Sequence, residues 1–298
     1  MKAKVLIAAS LLGFSAFAQD WRVSSDQTVG GFVFPESVGC DAKNKVLYVG
    51  NFGGQKLAPA EKDGLGYISK VGLDGKVIDK QWVPAQGGER LNKPKGIWIE
   101  GSRLWTTDID GAWIFDLKTK KGRKVMIPGA QFANDPAVMG KALYVSDNRS
   151  DQLFRIEPAD FLNSKGEPKI ATVLKGAGIS PNGVHPGRDG RLLVGGFAGA
   201  DKPRGIYAID ANRGPRQLTH AIGRIDGVYQ MKDGTLLGTD WGTGSLFHYG
   251  EKRGMQILAK GFKGPADFCV MPGESNSLTV IVPDLPQSHL RFIQLRKG

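Results

Sequence analysis

Residues 94–127 read PKGIWIEGSRLWTTDIDGAWIFDLKTKKGRKVMI. Four short runs rich in β-branched and aromatic residues, 96–100, 103–108, 112–117 and 123–127, are separated by glycine or charged turn residues. That is the pattern of four antiparallel strands joined by tight turns. The same pattern restarts elsewhere in the chain. The six starts are Pro35-Glu36-Ser37-Val38, Pro94-Lys95-Gly96-Ile97, Ala133-Asn134-Asp135-Pro136, Pro181-Asn182-Gly183-Val184, Ile225-Asp226-Gly227-Val228 and Pro265-Ala266-Asp267-Phe268. An apolar second strand follows each, from Val46-Leu47-Tyr48-Val49 in the first to Leu278-Thr279-Val280-Ile281 in the last.

Successive starts are 59, 39, 48, 44 and 40 residues apart. Periods of about 40–50 residues built from short strands predict a β-propeller with one four-stranded blade per repeat. The expected fold is therefore all-β, a six-bladed β-propeller in one domain over 19–298. The fifth repeat shows its four strands at 228–231, 235–240, 245–249 and 255–258. Extra length at 51–63 and 158–168 reads as loop or a short helical turn. The sixth repeat ends one strand short, and 21–33 has no other home, so this N-terminal segment is expected to join the last blade and close the ring. Closure removes edge strands that would otherwise pair with other molecules.

The first 18 residues read as a signal peptide. Lys2 and Lys4 precede an apolar run at 5–17, and Ala16-Phe17-Ala18 fits a small-x-small cleavage site. The run is too short to span a bilayer, which takes about 20 apolar residues. A periplasmic or secreted protein with no membrane span is expected. In that oxidising setting Cys40 and Cys269 can pair, since the first and last repeats are neighbours in a closed ring; two separate buried thiols are the alternative. The net charge is +11, which favours anionic ligands or surfaces. The densest basic run, 118–124, falls on a hairpin turn, and no interleaving of aromatic and basic residues marks a nucleic-acid surface.

In a propeller the first strand of each blade lines the central channel. The residue after each repeat start then forms a ring of Glu36, Lys95, Asn134, Asn182, Asp226 and Ala266. Four of the six are hard oxygen donors, a set suited to calcium or another hard divalent cation rather than to thiolate-type zinc. Such a cation with an open position polarises a carbonyl or a water, and Asp226 beside it is a candidate general base. Asp108, Asp147, Asp240 and Asp284 also stand in register, each ending a second strand; the expectation is that they bond backbone in the following turn. His185, Trp98, Trp105 and Trp113 are read as structural, and Asn148 and Arg149 as edging the mouth.

With these motifs in order and in register over nearly all of 19–298, the chain resembles the senescence marker protein and gluconolactonase family. The carrying motifs are Pro35-Glu36-Ser37, Asn134-Asp135, Ser180-Pro181-Asn182-Gly183 and Ile225-Asp226-Gly227. The resemblance implies a six-bladed propeller with a divalent metal in its channel, calcium or else zinc, magnesium or manganese. It implies that Glu36, Asn182 and Asp226 bind the metal, that Asn134 contacts substrate or water, and that Asp226 and Asn134 serve catalysis. The implied activity is hydrolysis of a lactone, with a small-molecule substrate that is sugar-derived or anionic. Lys95 departs from the family pattern, which has a small or uncharged residue there. Three placements are open to it: pairing with Glu36 and Asp226 in the cation's place, binding an anionic group of a substrate, or snorkelling to solvent. If Lys95 replaces the metal, the protein is a non-catalytic binding propeller.

Overall fold

A computed structural model describes residues 21–298 except 86–87, 211–213 and 275; the expected signal peptide at 1–18 lies outside the described residues. Six four-stranded antiparallel sheets follow one another around a ring. Blade 1 is β2–β5 (Pro35–Asp41, Val46–Asn51, Tyr67–Gly72, Val77–Val83), and blade 2 is β6–β9 (Pro94–Glu100, Arg103–Asp108, Gly111–Asp116, Gly122–Met126). Blade 3 is β10–β13 (Ala133–Met139, Ala142–Asp147, Gln152–Glu157, Lys169–Lys175), and blade 4 is β14–β17 (Pro181–Pro186, Leu192–Gly196, Ile206–Asp210, Gly214–Gln217). Blade 5 is β18–β21 (Ile225–Gln230, Leu236–Asp240, Ser245–Gly250, Gly254–Lys260). Among the described residues no helix is long and apolar enough to cross a membrane.

Blade 6 joins the two ends of the chain. It consists of β22–β24 (Cys269–Pro272, Ser277–Asp284, His289–Lys297) with β1 (Trp21–Val29) as its outermost strand. The β1–β24 ladder runs antiparallel from Trp21 opposite Lys297 to Val29 opposite Leu290. A second closure lies at the innermost strands, where Cys40 of blade 1 and Cys269 of blade 6 form a disulfide with Cα atoms 5.7 Å apart. The ring is thus fastened at both its outer and its inner circumference.

The core lies between blades. Trp105, Ile114 and Val125 of blade 2 pack on Val138, Leu143 and Phe154 of blade 3. Trp82 of blade 1 meets Trp113 and Phe115 of blade 2. Trp105 and Trp113 are therefore packing residues, and the Trp105 indole N–H donates to Ala159 O at 2.8 Å. Apolar side chains of the inner strands fill the space between blades, and a cluster of buried polar side chains is left at the channel.

Candidate active site

Each site residue sits on a local irregularity of its strand. The pairing of first and second strands shifts register between Pro35 and Ser37, Pro94 and Ile97, Ala133 and Pro136, Pro181 and Val184, and Ile225 and Val228. These intervals bracket Glu36, Lys95, Asn134, Asn182 and Asp226. A bulge adds an unpaired residue and re-aims its side chain, which is why bulges recur next to active sites. Here the device is repeated five times around one axis.

The glycines that follow three of the site residues, Gly96, Gly183 and Gly227, have a steric cause. A Cβ on Gly183 would lie 1.9 Å from Asp226 O, so the first strands of blades 4 and 5 approach at a distance only glycine allows. Thr239 completes the fastening: it accepts from Gly227 N–H at 2.8 Å and donates to Ala266 O at 3.0 Å, tying blade 5 to blade 6. Of the aspartates ending the second strands, Asp147 and Asp240 bond the following turn as expected, whereas Asp108 and Asp284 accept instead from the segment leading into their blade, an arrangement Asp147 and Asp240 share. Asp147 accepts from Arg149 and Ser150 N–H in its own turn, and also from Gln131 and Phe132 N–H in the segment leading into its blade. Asp240 similarly holds Arg224, and Asp284 holds Lys263 and Gly264. These carboxylates clamp the approach to each first strand and so fix the site residues two or three positions later.

Glu36, Asn134, Asn182 and Asp226 line one cavity of about 630 Å³ at a channel mouth. All four are at least 96% buried. Asn182 donates its amide N–H to Asp226 Oδ2 at 3.4 Å. Glu36 Oε2, Asn134 Oδ1, Asn182 Oδ1 and Asp226 Oδ1 are buried with no hydrogen-bond partner. Four orphaned oxygens from four blades in one cavity are a strong anomaly, since buried polar atoms are normally paired. Burial, then Asp226, hold the Glu36 carboxyl well above the usual carboxylate range, against the pull of Lys95. Burial and Asp267 do the same to Asp226; the Trp241 indole N–H nearby opposes this, although it makes no hydrogen bond of ordinary geometry, as does Asn182. The set fits a hard divalent cation: the orphan atoms that the first strands contribute are all oxygens, and a positive charge would supply what the buried carboxylates lack, while the orphaned nitrogens of the same cavity, Arg224 Nε and Trp241 Nε1, belong to residues outside that set. Among the described residues no three His, Cys, Asp or Glu side chains are grouped to hold a metal; the donor set here is two carboxylates and two amides.

Lys95 is completely buried, which rules out snorkelling to solvent. Its Nζ lies 4.2 Å from the ring centroid of Phe132 and 5.7 Å from that of Phe52, and donates to Lys93 O at 3.4 Å. Among the described residues no ion pair within 4 Å joins it to Glu36 or Asp226, and it stands beside the cavity rather than on its wall. Burial draws its ammonium down to about 8 despite the attraction of Glu36 and Asp108. Lys95 interacts electrostatically with Glu36, and a buried positive charge near a cation site opposes cation binding by on the order of 1 kcal/mol or more. Lys95→Met is therefore expected to tighten divalent-cation binding by about tenfold or more in calorimetry; equal affinities in wild type and variant would show that Lys95 does not act on the site.

A second tier, whose role has no separate signal in the sequence, lies one residue further on. Asp135 and Asp267 are both buried. Asp135 Oδ2 accepts from Val184 N–H at 2.6 Å, and Asp267 Oδ2 accepts from Ser37 Oγ–H at 3.2 Å. Burial raises Asp267 to about 7, with Ser37 opposing. Further along the same strands Trp98, His185 and Tyr229 pack edge to face; burial pushes His185 down to about 4, consistent with a neutral structural ring. The mouth cavity also carries Arg149, Lys202, Arg204 and Arg224 with Phe132, Phe197 and Trp241. Of these only Arg149 has a signal in the sequence, as a residue just past a second strand.

The fold has relatives of known structure. One is a putative gluconolactonase, 13% identical, covering 93% of this chain and 99% of its own, with TM-score 0.62. Another is the calcium-binding protein regucalcin from Agrobacterium tumefaciens C58, 16% identical over 94% and 96% of the two chains, TM-score 0.58. The chain shares its fold with these propellers. A catalytically inactive variant of virginiamycin B lyase from Staphylococcus aureus, with quinupristin, is also similar: 15% identity, 94% and 100% coverage, TM-score 0.60. No family model matches the sequence, and no curated protein does.

Proposed function

We propose that the protein is a metal-dependent hydrolase of lactones, gluconolactonase-like, acting outside the cytoplasm. The observation that carries this reading is the set of four buried, partnerless oxygens of Glu36, Asn134, Asn182 and Asp226 facing one open cavity. Glu36, Asn182 and Asp226 would hold the metal, with Asn134 turned to substrate or water. Calcium suits the all-oxygen set, and the calcium-binding regucalcin neighbour supports it. A bound cation supplies charge that polarises a lactone carbonyl and acidifies water.

The chain's own residues would do the rest. Asp226, oriented by the Asn182 amide, takes a proton from water as its oxygen bonds to the carbonyl carbon. The ring C–O bond then breaks, the proton passes to the departing ring oxygen, and the product is the open hydroxy acid. Asn134 offers a side-chain amide to the substrate at the same depth. The similar lyase is inactive with alanine in place of a histidine; among the described residues no histidine lines this cavity, so hydrolysis is the better supported chemistry. The rival reading, a binding propeller with Lys95 in the metal's place, loses support because the Lys95 ammonium packs on Phe132 without pairing to the ring carboxylates. Calorimetry with calcium, magnesium, manganese and zinc, together with a pH-stat assay on gluconolactone and related lactones, tests the proposal. Cation binding with cation-dependent ring opening is expected; a wild-type protein that binds none of the four ions and opens no lactone would overturn it.

A further inference from the structure

We infer that Arg149 and Arg224 form an anion subsite on the cavity wall, so that the substrate carries a carboxylate or phosphate group apart from the carbonyl that reacts. The inference rests on the hydrolase reading for the word substrate, and on separate observations for the anion. Four cations line the mouth, and they differ in what occupies them. Arg204 is committed to the fold: its guanidinium donates to Gly178 O at 2.6 Å and to Lys202 and Pro203 O at 3.2 Å. Lys202 is exposed, and among the described residues no aromatic ring supports its amine. Arg149 and Arg224 are held differently. The Arg149 guanidinium carbon lies 4.1 Å from the Phe132 ring centroid, and that of Arg224 lies 4.5 Å from Phe197 and 5.9 Å from Trp241.

Stacking on an aromatic face fixes a guanidinium plane while leaving its edge donors free. Neither side chain has a hydrogen bond or ion pair to a carboxylate among the described residues, and Arg224 Nε is buried without any partner. A pre-positioned fork of N–H donors with no protein acceptor matches a planar carboxylate or a phosphate. The two residues come from different blades, Arg149 beyond β11 and Arg224 just before β18, yet they share a wall with the orphan oxygens. One ligand can therefore touch both the guanidinium groups and the polar floor.

The test compares a neutral lactone, gluconolactone, with one carrying a carboxylate, glucarolactone, and one carrying a phosphate, 6-phosphogluconolactone. For wild type, kcat/KM is expected to be higher for at least one anionic lactone, and which of the two wins identifies the source of the charge. In Arg149→Gln and Arg224→Gln the ratio of anionic to neutral kcat/KM should fall by roughly 10- to 100-fold each, the scale of a charge-assisted hydrogen bond. Lys at either position should restore part of the ratio. A ratio unchanged in both variants, or a wild type that prefers the neutral lactone, overturns the subsite while leaving the hydrolase reading intact. If wild type opens no lactone at all, that reading fails, and the subsite is judged by binding alone. In calorimetry, inorganic phosphate or glutarate should then bind saturably to wild type and at least tenfold more weakly to the Arg149→Gln, Arg224→Gln double variant; no saturation at tens of millimolar overturns it.

Discussion

Asp226→Asn should lower kcat for lactone opening by roughly 10²- to 10⁴-fold, the range for removal of a general base, and should weaken calcium binding in the same preparation. The substitution keeps shape and removes charge. Asn182 still finds an oxygen to donate to at the position of Asp226 Oδ2. What disappears is the carboxylate that carries half of the formal charge of the four-oxygen set.

Loss of activity in such a variant is often ascribed to a damaged fold, and here the electrostatics separate the two causes. Asp226 is buried beside Asp267, and both its burial and that neighbour disfavour the ionised form. In protein stripped of metal, an amide at this position no longer has to ionise at alkaline pH. The variant should therefore melt no lower than wild type at pH 8.5 without metal, while losing most of the gain that calcium gives. An inactive variant with a lower metal-free melting temperature would point to structural damage. A variant retaining kcat within about threefold would remove Asp226 from the chemistry.

The ring of site residues was legible in the sequence because a propeller repeats its register. Once 94–127 is read as one blade, the positions of Glu36, Asn134, Asn182 and Asp226 follow from equivalent starts. The closing strand was legible for a related reason: the sixth repeat lacks a strand, and 21–33 lacks a partner. Other features depend on contacts between distant segments. Nothing local announces that Asp147 reaches back to Gln131 and Phe132 N–H, since an aspartate after a strand equally suits its own turn. The burial of Lys95 on Phe132 needs blades 2 and 3 in place before it has meaning. Asp267 was visible as a letter, but its importance comes from Ser37 and Glu36, which lie at the other end of the chain.

Calcium should raise the melting temperature of chelator-stripped protein much more at pH 8.5 than at pH 6. At about 100 times its Kd a ligand adds about 2.7 kcal/mol of stability, which for a domain of this size is a shift of roughly 4–5 °C. The pH dependence follows from the carboxyl groups. Asp267 titrates at about 7 in the folded protein, and Glu36, Asp135 and Asp226 are also raised well above their ordinary values. An unfolded aspartate titrates at about 3.9. Between those values the folded chain holds more protons than the unfolded chain, so stability falls as pH rises toward and through the folded values. Metal-free protein thus loses stability from pH 6.5 to 8.5, about 1 kcal/mol from Asp267 alone. His185, lowered to about 4, has the opposite slope only below about 6.5, and comparing with and without calcium at each pH cancels it. At pH 6 protons on Glu36 and Asp226 compete with the ion; at pH 8.5 that competition weakens. Asp267→Asn provides the control. Its amide can still accept from Ser37, the donor set is untouched, and the stripped variant should melt higher than stripped wild type at pH 8.5 while keeping the calcium increment. Equal calcium shifts at both pH values would show that the ion binds away from these carboxyls, and no shift at either would mean that the orphaned oxygens do not hold calcium.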